Sequence, residues 1–155
     1  MLTWCRFQYS ADKSFWKDKI PSGVDVLITH TPPQHHLDLN KGCPSLLAEV
    51  WKAKPRLHVF GHVHSGHGQE PVYWDGGQAS FERVMNHTGS GIVADLIPSQ
   101  AWWNAIKLVW YGIRGILWDR LMVGPGGSNG CLMVNAAIVW QSTTKVGNRP
   151  QVVEL

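Results

Sequence analysis

Three histidines placed at the ends of strand-like runs are the residues of this chain best suited to chemistry. Two of them lie in the stretch 55–68, Pro-Arg-Leu-His-Val-Phe-Gly-His-Val-His-Ser-Gly-His-Gly. Leu57 to Phe60 reads as a short buried strand stopped by Gly61. His62 and His64 follow at once, and residues two apart in an extended backbone project to the same side. Two imidazoles standing together at a strand end suit a pair of adjacent metal ions, which lie roughly 3.5–4 Å apart in two-metal hydrolases. A bare His-x-His is as often a solvent-facing loop, because imidazole is a common ligand but most surface histidines bind nothing. The strand and glycine in front of it shift the balance toward metal.

A second run supplies the third histidine. Val24 to Ile28 is mostly β-branched and apolar, as expected of a strand covered on both faces. It leads into His30, and Thr31-Pro32-Pro33 ends it because proline cannot donate to a ladder. Two strands therefore deliver histidine at their carboxyl ends, the edge of an open α/β sheet where ligands bind.

Ile28-Thr-His-Thr-Pro-Pro33 together with Gly61-His-Val-His64 resembles the calcineurin-like metallophosphoesterases, and within them the metallophosphoesterase-domain-containing branch in its fungal version. The resemblance takes in Phe7 to Tyr9, Trp16, Ile20-Pro21, His36 with Asp38, Gly42-Cys43, Val134 to Ala137 and Asn148 to Val153. It implies an α/β fold, part of an α/β/β/α sandwich with an inserted amphipathic helix. Residues 1–155 would form the carboxyl-terminal part of one such domain, with the insertion at about 88–130. It implies metal-dependent hydrolysis of a phosphoester, of the phosphodiesterase or phosphomonoesterase class, on a small molecule such as a nucleotide. The cofactors would be two divalent ions (Mn, Fe, Zn or Mg), with His30 and His62 on one and His64 on the other.

The chain departs from the family pattern in one large respect. The family's Asp-x-His, Gly-Asp-x-x-Asp and Gly-Asn-His motifs belong upstream of the matched residues, and none occurs in Met1 to Pro21. Two ions of this type each want about five or six ligands, carboxylates among them. Three histidines fall short, so the expectation is a chain that by itself neither holds a two-metal centre nor turns over substrate. A single zinc on His30, His62 and His64 with water in the fourth position is the weaker alternative. The alternative function is an inactive remnant serving as a binding or membrane-surface module.

Other polar residues near the motifs are weaker candidates. Gln34 to Gly42 reads as a loop over the metal edge, in which His36 and Asp38 are candidates for a substrate wall or for orienting a ligand histidine. Plain loop hydration is the competing reading, since loops are polar anyway. His67, between Gly66 and Gly68, is a candidate phosphate contact, although those glycines need only serve a turn. His35 has no motif support, and His58 reads as a packed strand residue. Cys43 reads as a small apolar filler.

The elements that must position these residues follow from periodicity. Cys43 to Lys54 carries Leu46, Leu47, Val50 and Trp51 at helical spacing, with Pro44 in the first turn. As a crossover it makes the two histidine-bearing strands parallel. Val72 to Trp74 reads as a strand, Asp75-Gly-Gly as a hairpin-type turn, and Gln78 to Met85 as a short helix. Residues 100–122 form a helix with Trp102, Ile106, Val109, Ile113, Ile116 and Leu117 on one face. Packing of that face on the sandwich or on another subunit is favoured over contact with a membrane surface. The glycine-rich 124–130 lacks a Gly-Lys-Ser/Thr ending and reads as a connector. Leu132 to Trp140, interrupted by the polar Asn135, and Gln151 to Leu155 read as closing strands that extend the sheet. A Met1 to Ile20 segment rich in aromatics reads as a loop and short helix packed on it.

Composition adds exclusions. At 155 residues the prior is one domain with a real core. The net charge of +3 is mild and its cations are scattered, so no nucleic-acid footprint stands out. Three distant cysteines fit a reducing compartment. With neither a signal-peptide layout nor a spanning run, a cytoplasmic protein is expected. A homo-oligomer is compatible with these features.

Overall fold

A computed structural model describes residues 15–86, 99–121, 130–140 and 145–154, omitting the side chains of residue 116 and residues 118–121. The fold is mixed α/β. Four strands, β1 (Val26–Ile28), β2 (Leu57–Phe60), β3 (Gly68–Tyr73) and β4 (Gly130–Asn135), form one mostly parallel sheet in the order β1-β2-β4-β3. Among the described residues three α-helices accompany it: α1 (Pro44–Ala53), α2 (Gly76–Met85) and α3 (Gln100–Leu121). The chain divides into two compact units, residues 1–70 with 132–155, and residues 71–131.

The first unit carries the histidines. β1 and β2 run parallel with Leu27 opposite His58, and β2 runs parallel to β4 with His58 opposite Met133. α1 is the crossover that this parallel pairing requires. Pro44 opens the helix, where its missing N–H costs nothing, and Lys54 closes it in the left-handed region at φ 49°. Leu46, Leu47 and Val50 bury one stripe, joined in the core by Leu57, Phe60, Met133 and Val134. Buried Glu49 on the same helix is satisfied by Lys52 and by the Asp18 backbone N–H at 3.0 Å. Cys43 is buried beside the Ser45 hydroxyl, as expected of a filler.

Three expectations about this unit need correction. β1 is not covered on both faces: it lies at one end of the sheet order among the described residues, and Val26 and Ile28 are exposed, Ile28 at 75%. Its β-branched run describes a surface made to be covered, and the described residues leave it open. β4 ends at Asn135, because the Ala137 N–H turns to the Asn135 side chain instead of a ladder partner. Residues 151–154 form no strand, because side chains hold them: the Gln69 amide donates to Gln151 Oε1 at 2.8 Å and to the Val152 carbonyl at 3.3 Å.

The second unit corrects a turn. Asp75-Gly-Gly begins a helix rather than closing a hairpin. Asp75 Oδ1 accepts the Gln78 N–H at 2.8 Å, capping α2, and Gly76 and Gly77 form its first turn. The reason is packing against α3. A Cβ at Gly76 would lie 2.6 Å from the Tyr111 ring and hydroxyl, so only glycine lets the two helices meet there. α3 follows the sequence closely in its bounds, Gln100–Leu121. Trp102, Ile106, Val109, Ile113 and Leu117 are all exposed. The aromatic segment before Phe15 and the glycine-rich connector up to Asn129 lie outside the described residues.

Candidate metal centre

β1 and β2 end side by side, and the loops leaving them stay paired: the Gly61 N–H donates to the His30 carbonyl at 3.1 Å. This pairing sets the His30 and His62 side chains together. Nε2 of His30 lies 3.1 Å from Nδ1 of His62, with ring centroids 5.0 Å apart and planes crossed at 69°. His64 lies close enough to act electrostatically on His62.

The backbone between the two motif histidines is not extended, contrary to the sequence expectation. His62 has φ 65°, and the Val63 N–H reaches back to the Gly61 carbonyl at 2.7 Å, which makes a positive-φ γ-turn centred on His62. Such turns are rare and strained for a residue with a side chain, at a cost of about 1–3 kcal/mol. His64 then opens a 3-10 turn, His64–Gly66. The turn, not a period of two, aims the His62 ring at His30.

Burial, more than any neighbour, holds the His62 imidazole below its usual pKa; His30, then His64 and Lys41, add to the effect. A neutral ring with a free lone pair is the form that binds metal. His62→Gly should relieve the left-handed strain and raise the urea midpoint, by about 1 kcal/mol of stability. The same change removes a nitrogen from the cluster. A midpoint that falls instead would show that the turn is not strained.

Behind the histidine loop sits Asn135, fully buried at the end of β4. Its amide donates to the Val63 carbonyl at 2.8 Å and to the Leu37 carbonyl at 3.1 Å, and its Oδ1 accepts the Ala137 N–H. One side chain thus ties the His62–Gly66 loop to the 34–42 loop. Gly66 completes the joint, since a Cβ there would fall on the Leu37 carbonyl. Sequence reasoning read Asn135 as an interruption. The available signal was a polar residue in an apolar strand, which when buried must find partners.

The weaker candidates have defined places. Asp38 Oδ2 accepts the N–H groups of His35 and Gly42 at 3.0 and 2.9 Å, and Oδ1 accepts that of Asn40, so it shapes its own loop. His36 is fully buried, with Nδ1 3.1 Å from Glu70 Oε1. His67 donates through Nε2 to the Arg149 carbonyl at 3.0 Å, while the Gln151 amide lies 3.3 Å from its Nδ1. Asn148 adds bonds to the carbonyls of Ala137, Val139 and His64. The 145–154 segment is thereby moored along the histidine loop. His58 is a buried strand residue bonded to the Thr29 hydroxyl at 3.0 Å.

The donor set can be tested against the ions the sequence implies. Two nitrogens on one tetrahedral zinc, each at about 2.0–2.1 Å, stand roughly 3.3 Å apart. The 3.1 Å between His30 and His62 fits a shared ion. Two ions do not fit these residues: the cluster supplies imidazoles and no carboxylate. Among the described residues, no group of three or more His, Cys, Asp and Glu side chains is arranged to hold a metal.

Comparison with known proteins bears on this cluster. The chain is 36% identical over 137 residues to a protein of Emericella nidulans named probable rhamnogalacturonate lyase C, a match covering 86% of this chain and 12% of that protein. It is 53% identical over 55 residues to a UPF0046 protein of Caenorhabditis elegans, covering 32% of this chain and 14% of the relative. It is 52% identical over 56 residues to human metallophosphoesterase domain-containing protein 1, covering 32% of this chain and 17% of that one. These partial homologues relate the chain to the metallophosphoesterase family. The chain's matches span between 12% and 17% of the lengths of these curated relatives. No protein-family model matches the chain. No solved structure matches it.

Proposed function

We propose that this chain carries the histidine side of a metal-dependent phosphoester hydrolase, whose carboxylate ligands come from protein outside the 155 residues. The observation that carries this reading is the 3.1 Å approach of His30 and His62 from two parallel strand ends, in a chain a third of which is about half identical to metallophosphoesterase-domain proteins. In this reading His30 and His62 would hold one divalent ion (Mn, Fe, Zn or Mg), and His64 would serve a second only together with carboxylates from outside the 155 residues. A bound ion would supply charge stabilisation at a phosphoester. The chain's own residues hold the ligands in place: Asn135 fixes the loop, and burial lowers the pKa of the His62 ring. The substrate is a phosphoester small molecule, and the finer fold is the histidine-bearing portion of an α/β/β/α sandwich. The exposed Val26 and Ile28 face of β1, two residues before His30, is where a further layer would pack.

The lyase named among the relatives favours no competing chemistry here, since the match covers 12% of that protein. The purified chain should bind one Co2+ or Zn2+ by isothermal titration, without hydrolysing bis-p-nitrophenyl phosphate in Mn2+. His30→Ala and His62→Ala should each weaken binding roughly 10–100-fold. Undiminished binding in the double variant, or no binding at millimolar metal, would sink the ligand assignment. Hydrolysis lost on His62→Ala would show that the chain needs no outside carboxylates.

A further inference from the structure

We infer that α3 is a membrane-surface helix that lies on anionic lipid. Its seven largest exposed apolar residues, Trp102, Trp103, Ile106, Val109, Trp110, Ile113 and Leu117, are each at least 47% exposed. At about 100° per residue they fall within an arc of roughly 120°. The opposite side is committed. Asn104 is buried and Tyr111 sits against Gly76 and Gly77 of α2, so the helix cannot bury its apolar arc by rolling over.

The chemistry of the arc selects its occupant. Three of the seven residues are tryptophan, whose amphipathic ring suits the headgroup boundary. Lys107 and Arg114 lie on one flank of the arc, and residues 100–118 contain no acid. A cationic flank beside a tryptophan-rich apolar arc complements a negatively charged lipid surface. It does not complement itself. A two-fold pair brings the same patch to itself, and Lys107 and Arg114 would find no carboxylate on that face. No helix of the described residues is long and apolar enough to cross a membrane, so α3 lies in the interface.

Flotation with vesicles tests this, using the 155-residue chain. It should float with phosphatidylcholine vesicles containing phosphatidylserine, and much less with phosphatidylcholine alone. Lys107→Gln with Arg114→Gln should weaken partitioning about 25-fold, roughly fivefold per cation. Trp103→Ala with Trp110→Ala should abolish flotation while leaving the circular dichroism spectrum unchanged, because both rings are exposed. Absence from the anionic vesicle fraction overturns the inference, as does equal flotation with neutral vesicles. So does a dimer in sedimentation equilibrium that the tryptophan substitutions dissociate, which would assign the arc to a second copy. The inference is independent of metal binding and survives its failure.

Discussion

Asn135→Asp should destabilise the chain by about 4 kcal/mol or more, and should loosen both loops at the candidate metal centre. The change is nearly isosteric, so its effect isolates chemistry from volume. The native amide donates two hydrogen bonds, to the Val63 and Leu37 carbonyls, in a fully buried site. A carboxylate has no hydrogen to give. Ionised, it would face two carbonyl oxygens without water; protonated, it has one hydrogen for two acceptors. Either state leaves a buried acceptor without its partner, at about 1–3 kcal/mol for each such group, and more for the charge. The Ala137 N–H contact alone would survive. Urea unfolding measures the loss, and hydrogen exchange locates it. Faster exchange at the Val63 and Gly66 amides, with α1 unchanged, would show the two loops parting. Loss of less than about 1 kcal/mol would mean that water satisfies those carbonyls and that Asn135 is not the joint.

How much of this was legible in the sequence depended on how local the signal was. Pro44 and the spacing of Leu46, Leu47 and Val50 are enough to write α1, and a helix between two short apolar runs is enough to make β1 and β2 parallel. The nearness of strand-end histidines follows from that pairing. Residues whose role is set at long range were not legible. Asp75-Gly-Gly serves a hairpin or a helix start equally well, and Tyr111 of α3 decides between them. Asn135 looks like a flaw in a strand until Leu37 and Val63 are seen around it. The apolar period of α3 says which face is greasy but not what covers it, and the same holds for Val26 and Ile28 on β1. The γ-turn at His62 has no sequence signature, since histidine is not a residue that favours positive φ as glycine does.

Acid should destabilise the chain through His58 well before it protonates any buried carboxylate of ordinary pKa. The ring sits fully buried in β2. The Thr29 hydroxyl has one hydrogen and donates it to the Thr31 carbonyl at 2.9 Å, so it can only accept from His58, whose Nε2 lies 3.0 Å away. That assigns the proton to Nε2. Nδ1 is buried with no hydrogen-bond partner, and a proton added there would have nowhere to donate. Burial, and secondarily the nearby His36, push the pKa down from 6.5 to about 3. A base with a lowered folded pKa is protonated more readily in the unfolded chain. Its stabilising contribution is therefore whole above pH 6.5, is lost progressively as pH falls toward 3, and is not restored by further acid. Between pH 7.5 and pH 5 the loss from this group is about 2 kcal/mol. His58→Gln retains an N–H for Thr29 and cannot titrate. Urea unfolding of both proteins at the two pH values cancels what the remaining histidines contribute. The native chain should lose about 2 kcal/mol more than the variant. Equal losses would mean that His58 accepts its proton in the fold, through water or a shift of His36, and that β2 tolerates a cation between its neighbours.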